Sequence, residues 1–175
     1  LDPQNGLSRW SAPIATPRGI NEIERLVDLV GPVARQGKQV CARAFQAAVA
    51  CVDTDRGAVR WSRPADGQVG LASDDKLLFG IEADGRVQAW RLTDGEKAWS
   101  HEQLRFRELT APLVIGRSLA FGDLQGYVHL LSREDGKVLA RLSTDGSAIA
   151  ARPVLAGNTL VVVSRSGGVF GFVPQ

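Results

Sequence analysis

Glu82-Ala83-Asp84-Gly85-Arg86-Val87-Gln88-Ala89-Trp90, then Thr93-Asp94-Gly95-Glu96-Lys97-Ala98-Trp99, is a double phrase that the chain repeats along its length. Each half is a turn followed by an alternating run. Glycine behind Asp or Asn tolerates the positive φ of a tight hairpin turn, so each half marks two short antiparallel strands joined by that turn. The first half recurs at Phe45–Val52, Asp123–Leu130 and Arg165–Phe172, and the turn positions 47, 85, 126 and 168 step by 38, 41 and 42. The second half recurs at Thr54–Trp61 and Arg133–Ala140, with an earlier copy at Gln4-Asn5-Gly6-Leu7-Ser8-Arg9-Trp10. A Pro-led phrase precedes the pairs: Gly31-Pro32-Val33, Ala111-Pro112-Leu113-Val114 and Arg152-Pro153-Val154-Leu155.

Four short strands per unit at a period near 40 is the pattern of a propeller blade, and no β–α alternation appears. The fold class expected is therefore all-β: a β-propeller of four-stranded antiparallel blades. The chain holds the last strand of one blade (1–14), an inserted connector (15–31), blades at 32–64, 68–100 and 109–143, and three strands of a closing blade (149–173). One blade cannot cover both its faces, so blades must stack. Trp10, Trp61 and Trp99 recur at one position of the fourth strand and are expected between adjacent blades. This count amounts to four blades' worth of strands with open edges. It fits half of an eight-bladed ring or two copies joined, and self-association of the chain is expected.

Composition excludes more than it selects. The 175 residues are 44% hydrophobic and 23% charged with a net charge of +2, which describes an ordinary globular chain. Interspersed charges leave no basic stripe for nucleic acid. There is no Met, and the chain opens on Leu1-Asp2-Pro3, which we read as a mature or truncated piece. Cys41 and Cys51 flank a turn at Phe45–Ala48. A hairpin folding there places the two nearly opposite each other; two small buried residues on adjacent strands are the favoured reading over a cross-strand disulfide.

One segment breaks the rhythm. About twenty residues separate Trp10 from Pro32, and the excess, Ala15–Asp28, is dense in charge. Asn21 is placed to cap a short helical turn with Glu22 and Glu24 in its first turn, and Ile23 and Leu26 share a face. Two readings stand level: a binding loop, or an apolar plug with solvated charges. For the connector Trp99–Leu109, whose Arg and Glu residues can pair among themselves, a solvated loop is the favoured reading.

The blade phrase resembles the PQQ-like (quinoprotein-type) propeller repeat. More specifically, Thr16-Pro17-Arg18-Gly19, Glu22-Ile23-Glu24-Arg25-Leu26-Val27-Asp28 and Gly122-Asp123-Leu124-Gln125-Gly126-Tyr127-Val128-His129 resemble the C-terminal half of the BamB family. These are propeller lipoproteins of the bacterial outer-membrane β-barrel assembly machine. The resemblance implies an eight-bladed ring, an N-terminal lipid anchor upstream of this chain, and a periplasmic place at the outer membrane. It also implies docking on the POTRA domains of BamA without catalysis or cofactor, and work on nascent outer-membrane β-barrel proteins. The partner-binding residues it points to are Glu22, Ile23, Glu24, Arg25, Leu26 and Asp28. Asp28 matches the family's first acidic position, whereas Val30 stands where a second Asp is common. The family's Leu/Arg loop falls upstream of Leu1.

The catalytic rival is a quinoprotein dehydrogenase fragment, and the other is a generic propeller adaptor. Quinoprotein enzymes carry vicinal cysteines and a Ca²⁺ carboxylate–amide set, whereas these cysteines are ten apart and no acidic cluster has ligand spacing. His101 and His129 stand alone, so no metal is expected. No nucleophile elbow, phosphate loop or dinucleotide fingerprint is present.

Overall fold

Residues 5–15 and 28–173 are described by the computed structural model, and the recurring turns translate into four antiparallel sheets. The first comprises β1 (Leu29–Gln36), β2 (Gln39–Ala44), β3 (Ala48–Asp53) and β4 (Val59–Pro64). The second comprises β5 (Ala72–Ser73), β6 (Leu77–Ile81), β7 (Val87–Arg91) and β8 (Lys97–His101). The third comprises β9 (Leu113–Ile115), β10 (Ser118–Gly122), β11 (Tyr127–Ser132) and β12 (Val138–Ser143). The fourth has β13 (Val154–Ala156), β14 (Thr159–Val163) and β15 (Val169–Phe172). Strands pair in sequence order in every sheet, which is the meander of a propeller blade.

Because each blade is a thin sheet, its side chains are buried against the next blade rather than within itself. Cys41, Val49, Trp61, Leu71 and Leu78 form the layer between blades one and two. Phe79, Val87, Leu109, Leu119 and Phe121 fill the next, and Ala120, Val128, Ile149 and Leu160 the last. In each complete blade the ladder between third and fourth strands slips once: between Cys51 and Val52, Ala89 and Trp90, and Leu130 and Leu131. A bulge there sharpens the twist of the outer strand.

The tryptophans take their expected place between blades. Trp61 Nε1 donates to Leu92 O at 2.8 Å, Trp99 Nε1 to Arg133 O at 3.0 Å, and Trp10 Nε1 to Thr54 O at 2.7 Å. Each indole lies over the glycine of the next blade's second turn: Gly95, Gly136 and Gly57 respectively. At Gly95, with φ +71°, a Cβ would come within 2.4 Å of Trp61 Cε3, so only glycine suits both the left-handed turn and the ring above it.

Four details differ from the sequence reading. Cys41 and Cys51 are directly opposed in the β2–β3 ladder with Cα atoms 4.0 Å apart, and they form a disulfide. The hairpin sets them opposite as expected, but where the sequence favours two buried residues on adjacent strands, the ladder pairs Cys41 directly with Cys51 and the bond is closed. Closing so short a loop removes enough unfolded-chain entropy to contribute about 2–3 kcal/mol. The last blade's left-handed turn residue is Gly167 rather than Gly168, because Gly167 N donates to Ser164 O as Gly126 N does to Asp123 O. Of residues 1–14, expected as the last strand of a blade, 5–14 are described and carry no strand pairing among the described residues. Finally, β1 begins at Leu29, ahead of Pro32: Leu29 and Val30 pair with Ala44 and Arg43, and a register break at residues 31–33 precedes Ala34.

Candidate functional site

Strand direction sorts the loops onto two rims. One carries the first–second and third–fourth strand turns, with Gly57, Gly95 and Gly136. The other carries the second–third strand turns at 45–47, 82–86, 123–126 and 164–168, together with the connectors between blades. Asp28, the residue before β1, stands on this second rim.

Of the partner-binding residues expected, Glu22, Ile23, Glu24, Arg25 and Leu26, with the Asn21 cap, lie outside the described residues. Asp28 is described and exposed at the foot of β1, where its carbonyl accepts the Phe45 N–H at 2.8 Å. That bond ties it to the first blade's turn, and Gln46 N of the same turn donates to Gly67 O at 3.2 Å in the next connector.

Beside Asp28 lies a charged pair that sequence reasoning did not single out. Arg43, near the end of β2, is fully buried and donates from Nη2 to Glu82 Oε1 at 3.0 Å across the joint between blades one and two. Glu82 Oε2 accepts the Asp66 N–H at 2.8 Å. Space for the guanidinium comes from two glycines: a Cβ on Gly67 or Gly80 would collide with Arg43. Arg43 Nε and Nη1 have no hydrogen-bond partner among the described residues. Burial pushes the Glu82 carboxyl up from its ordinary value against the pull of Arg43, and the same burial draws the Arg43 guanidinium down.

The equivalent turn position of blade three is Asp123, also fully buried, with a fuller set of partners. It accepts Arg107 Nε at 2.8 Å, His129 Nε2 at 2.9 Å, and the Gln125 and Tyr127 N–H groups at 2.9 Å. Burial alone would raise this carboxyl, but the hydrogen bonds led by His129 outweigh it and hold it below its ordinary value. Burial pulls His129 down more than Asp123 lifts it, and beside a carboxylate that can only accept, Nε2 is the nitrogen that carries the shared proton. In blade four the same position is Ser164, which donates to Asp145 at 2.8 Å beside Ser166.

The connector expected as a solvated loop is instead anchored on both sides. Leu104 and Leu109 are buried, Phe106 N donates to Asp84 O at 2.9 Å and Leu124 N to Arg107 O at 3.0 Å. Arg105 does pair with Glu102 as expected, at 3.5 Å, but Arg105 and Arg107 also reach Asp84 and Asp123 on the flanking blades. The signal missed in the sequence was an Arg inside the otherwise apolar Val40–Ala44 run, and carboxylates three residues before the turn glycine. No group of three or more His, Cys, Asp or Glu able to hold a metal occurs among the described residues.

Comparison with known proteins gives this arrangement its relatives. Residues 1–101 and 93–174 match the family model described as "Outer membrane protein assembly factor BamB". The protein of that name from Burkholderia pseudomallei is 41% identical over 175 residues, covering all of this chain and 46% of that protein. Its namesake from Bordetella pertussis is 35% identical, over 97% of this chain and 44% of that protein. The crystal structure of BamB from Moraxella catarrhalis superposes with a TM-score of 0.81 at 28% identity, covering 89% of this chain and 46% of that one. The chain thus spans a little under half the length of the relatives it matches.

Proposed function

The chain belongs to the family of BamB outer membrane protein assembly factors, and on that premise we propose that it serves as a rigid, non-catalytic docking scaffold. Its partner is the set of POTRA domains of BamA, and its task is to aid folding and insertion of β-barrel proteins. The protein works in the periplasm, tethered to the inner leaflet of the outer membrane by a lipid anchor elsewhere in the full chain. The observation that carries this reading is the position of Asp28. It is an exposed carboxylate whose backbone is pinned to a blade turn, on the rim where loops vary while the stacked blades beneath stay fixed.

A rigid platform suits recognition because little ordering entropy is lost on binding. Asp28 and Arg25 supply charge complementarity, Glu22 and Glu24 extend it, and Ile23 and Leu26 offer a small apolar anchor. The Cys41–Cys51 disulfide supports an oxidising compartment such as the periplasm. It also sets the chain apart from the vicinal cysteines of quinoprotein enzymes.

Binding of the full natural chain to purified POTRA domains tests the reading, beside an Arg25→Glu/Asp28→Arg variant of unchanged fold. Tight binding that the variant loses supports docking through this loop. Equal binding in both refutes that surface, and no binding at all refutes the POTRA partner.

A further inference from the structure

We infer that the buried Arg43–Glu82 pair is the positioning element that fixes the Asp28 segment for docking, an inference that rests on the docking reading above. The register break in β1 between Val30 and Ala34 separates the first two residues, Leu29 and Val30, from the rest of the strand. Beyond that break β1 continues at Ala34–Gln36 against Cys41–Gln39; β2 is its one ladder partner among the described residues, and from the second blade Leu71 N donates to Pro32 O at 2.9 Å. The stub that follows Asp28 is held on its own blade by two ladder partners, Ala44 and Arg43, and by the Phe45 N–H that meets Asp28 O, with the Leu71–Pro32 bond fixing the chain two residues further on.

The end of β2 is in turn held by what Arg43 holds. Its side chain crosses the blade joint to Glu82, whose second oxygen receives Asp66 N, while Asp66 Oδ1 receives Ala83 N at 3.1 Å. Gln46 N reaches Gly67 O from the same turn. Asp28 is thus linked to the second blade through the short chain segment Arg43–Gln46, whose Phe45 N–H meets Asp28 and whose Arg43 and Gln46 reach Glu82 and Gly67. A buried charged pair with two unpartnered guanidinium nitrogens is a poor way to add stability, since apolar residues of similar volume serve as well. Its geometry is better suited to specifying one arrangement of the joint.

The test is made in the full natural chain. Arg43→Met/Glu82→Leu removes both charges at similar volume, and Arg43→Lys, which keeps the charge without the planar fork, is the second variant should the first not fold. Amide hydrogen exchange is read at Phe45, whose N–H meets Asp28, and at Ala50 in the same sheet as control. Affinity for purified POTRA domains is read in parallel, with Asp28→Asn as reference. Exchange at Phe45 is expected to rise about tenfold or more, with Ala50 unchanged, and POTRA affinity to fall about as far as in Asp28→Asn. Exchange at Phe45 equal to the parent in the folded variants overturns the inference. Exchange that rises while Asp28→Asn binds POTRA domains like the parent leaves the positioning role standing and removes the docking reading instead.

Discussion

On one rim, Trp10, Trp61 and Trp99 each send an indole N–H to a carbonyl of the next blade and cover a left-handed glycine. On the other rim, one repeat position meets its neighbour in three different ways: Glu82 takes a buried Arg from a strand, Asp123 takes Arg107 and His129, and Ser164 takes Asp145. The first rim is a joint copied from blade to blade, and its chemistry is a large ring laid over a glycine with one satisfied N–H, buried at Trp61, partly buried at Trp99 and more open at Trp10. The second is a joint solved anew at each blade with charge. Copying secures the spacing of the stack, which leaves the other rim free to diverge toward a partner.

The largest effect that would break this comparison is expected at the copied joint. Trp61→Ala removes a buried indole and its bond to Leu92 O, and should cost about 3–5 kcal/mol of unfolding free energy in denaturant melts of the full chain. A loss below about 1 kcal/mol would mean that the tryptophan rim does not set the stack.

Next comes the charged joint. Arg43→Met alone leaves Glu82 buried without its partner and should cost about 3 kcal/mol, whereas Arg43→Met/Glu82→Leu should return to within about 1 kcal/mol of the parent. Equal losses in single and double variants would show that the pair stabilises the joint outright, as the indole does at the other rim.

Acid sharpens the contrast further. The Asp123 carboxyl is held below its ordinary value, so its contribution is fully present above the ordinary carboxylate range and is lost as pH falls through its lowered folded value. Asp123→Asn should therefore flatten the acid limb of the stability–pH curve, while Trp61→Ala should lower the curve without changing its slope. The smallest effect is local. Hydrogen bonds led by Ser166 and then Ser164 hold Asp145 down at about 2. Ser166→Ala should raise its carbon-13 titration midpoint toward the ordinary carboxylate range.

The difference between rims also explains what could be read from the sequence. Trp10, Trp61 and Trp99 stand four residues after Gly6, Gly57 and Gly95, and that recurrence gave their place between blades before any coordinates. The position three residues before the turn glycine is Glu82, Asp123 and Ser164, which repeats in space but not in residue type, so no period exposed it. The Arg107–Asp123 contact joins a connector to the following blade, and Arg43–Glu82 joins two blades, so both depend on how blades stack. The turn at Phe45–Ala47 places Cys41 and Cys51 opposite each other from the sequence, but a near-opposite pair is equally consistent with two buried thiols, and only the exact one-to-one register decides for the bond. Of the loop proposed to bind, Asp28 alone is among the described residues, so Glu22 to Leu26 rest on their resemblance to the family pattern.

The central claim is that partner binding belongs to the divergent rim and not to the copied one. It is tested most directly by titrating purified POTRA domains against the full natural chain carrying a single charge reversal on either rim, Asp28→Arg or Asp94→Arg. Both residues are exposed, so neither change should disturb the core. The account predicts that Asp28→Arg weakens binding about thirtyfold or more while Asp94→Arg leaves it within about twofold. Equal affinity for Asp28→Arg and the parent, or a larger loss at Asp94, would contradict it.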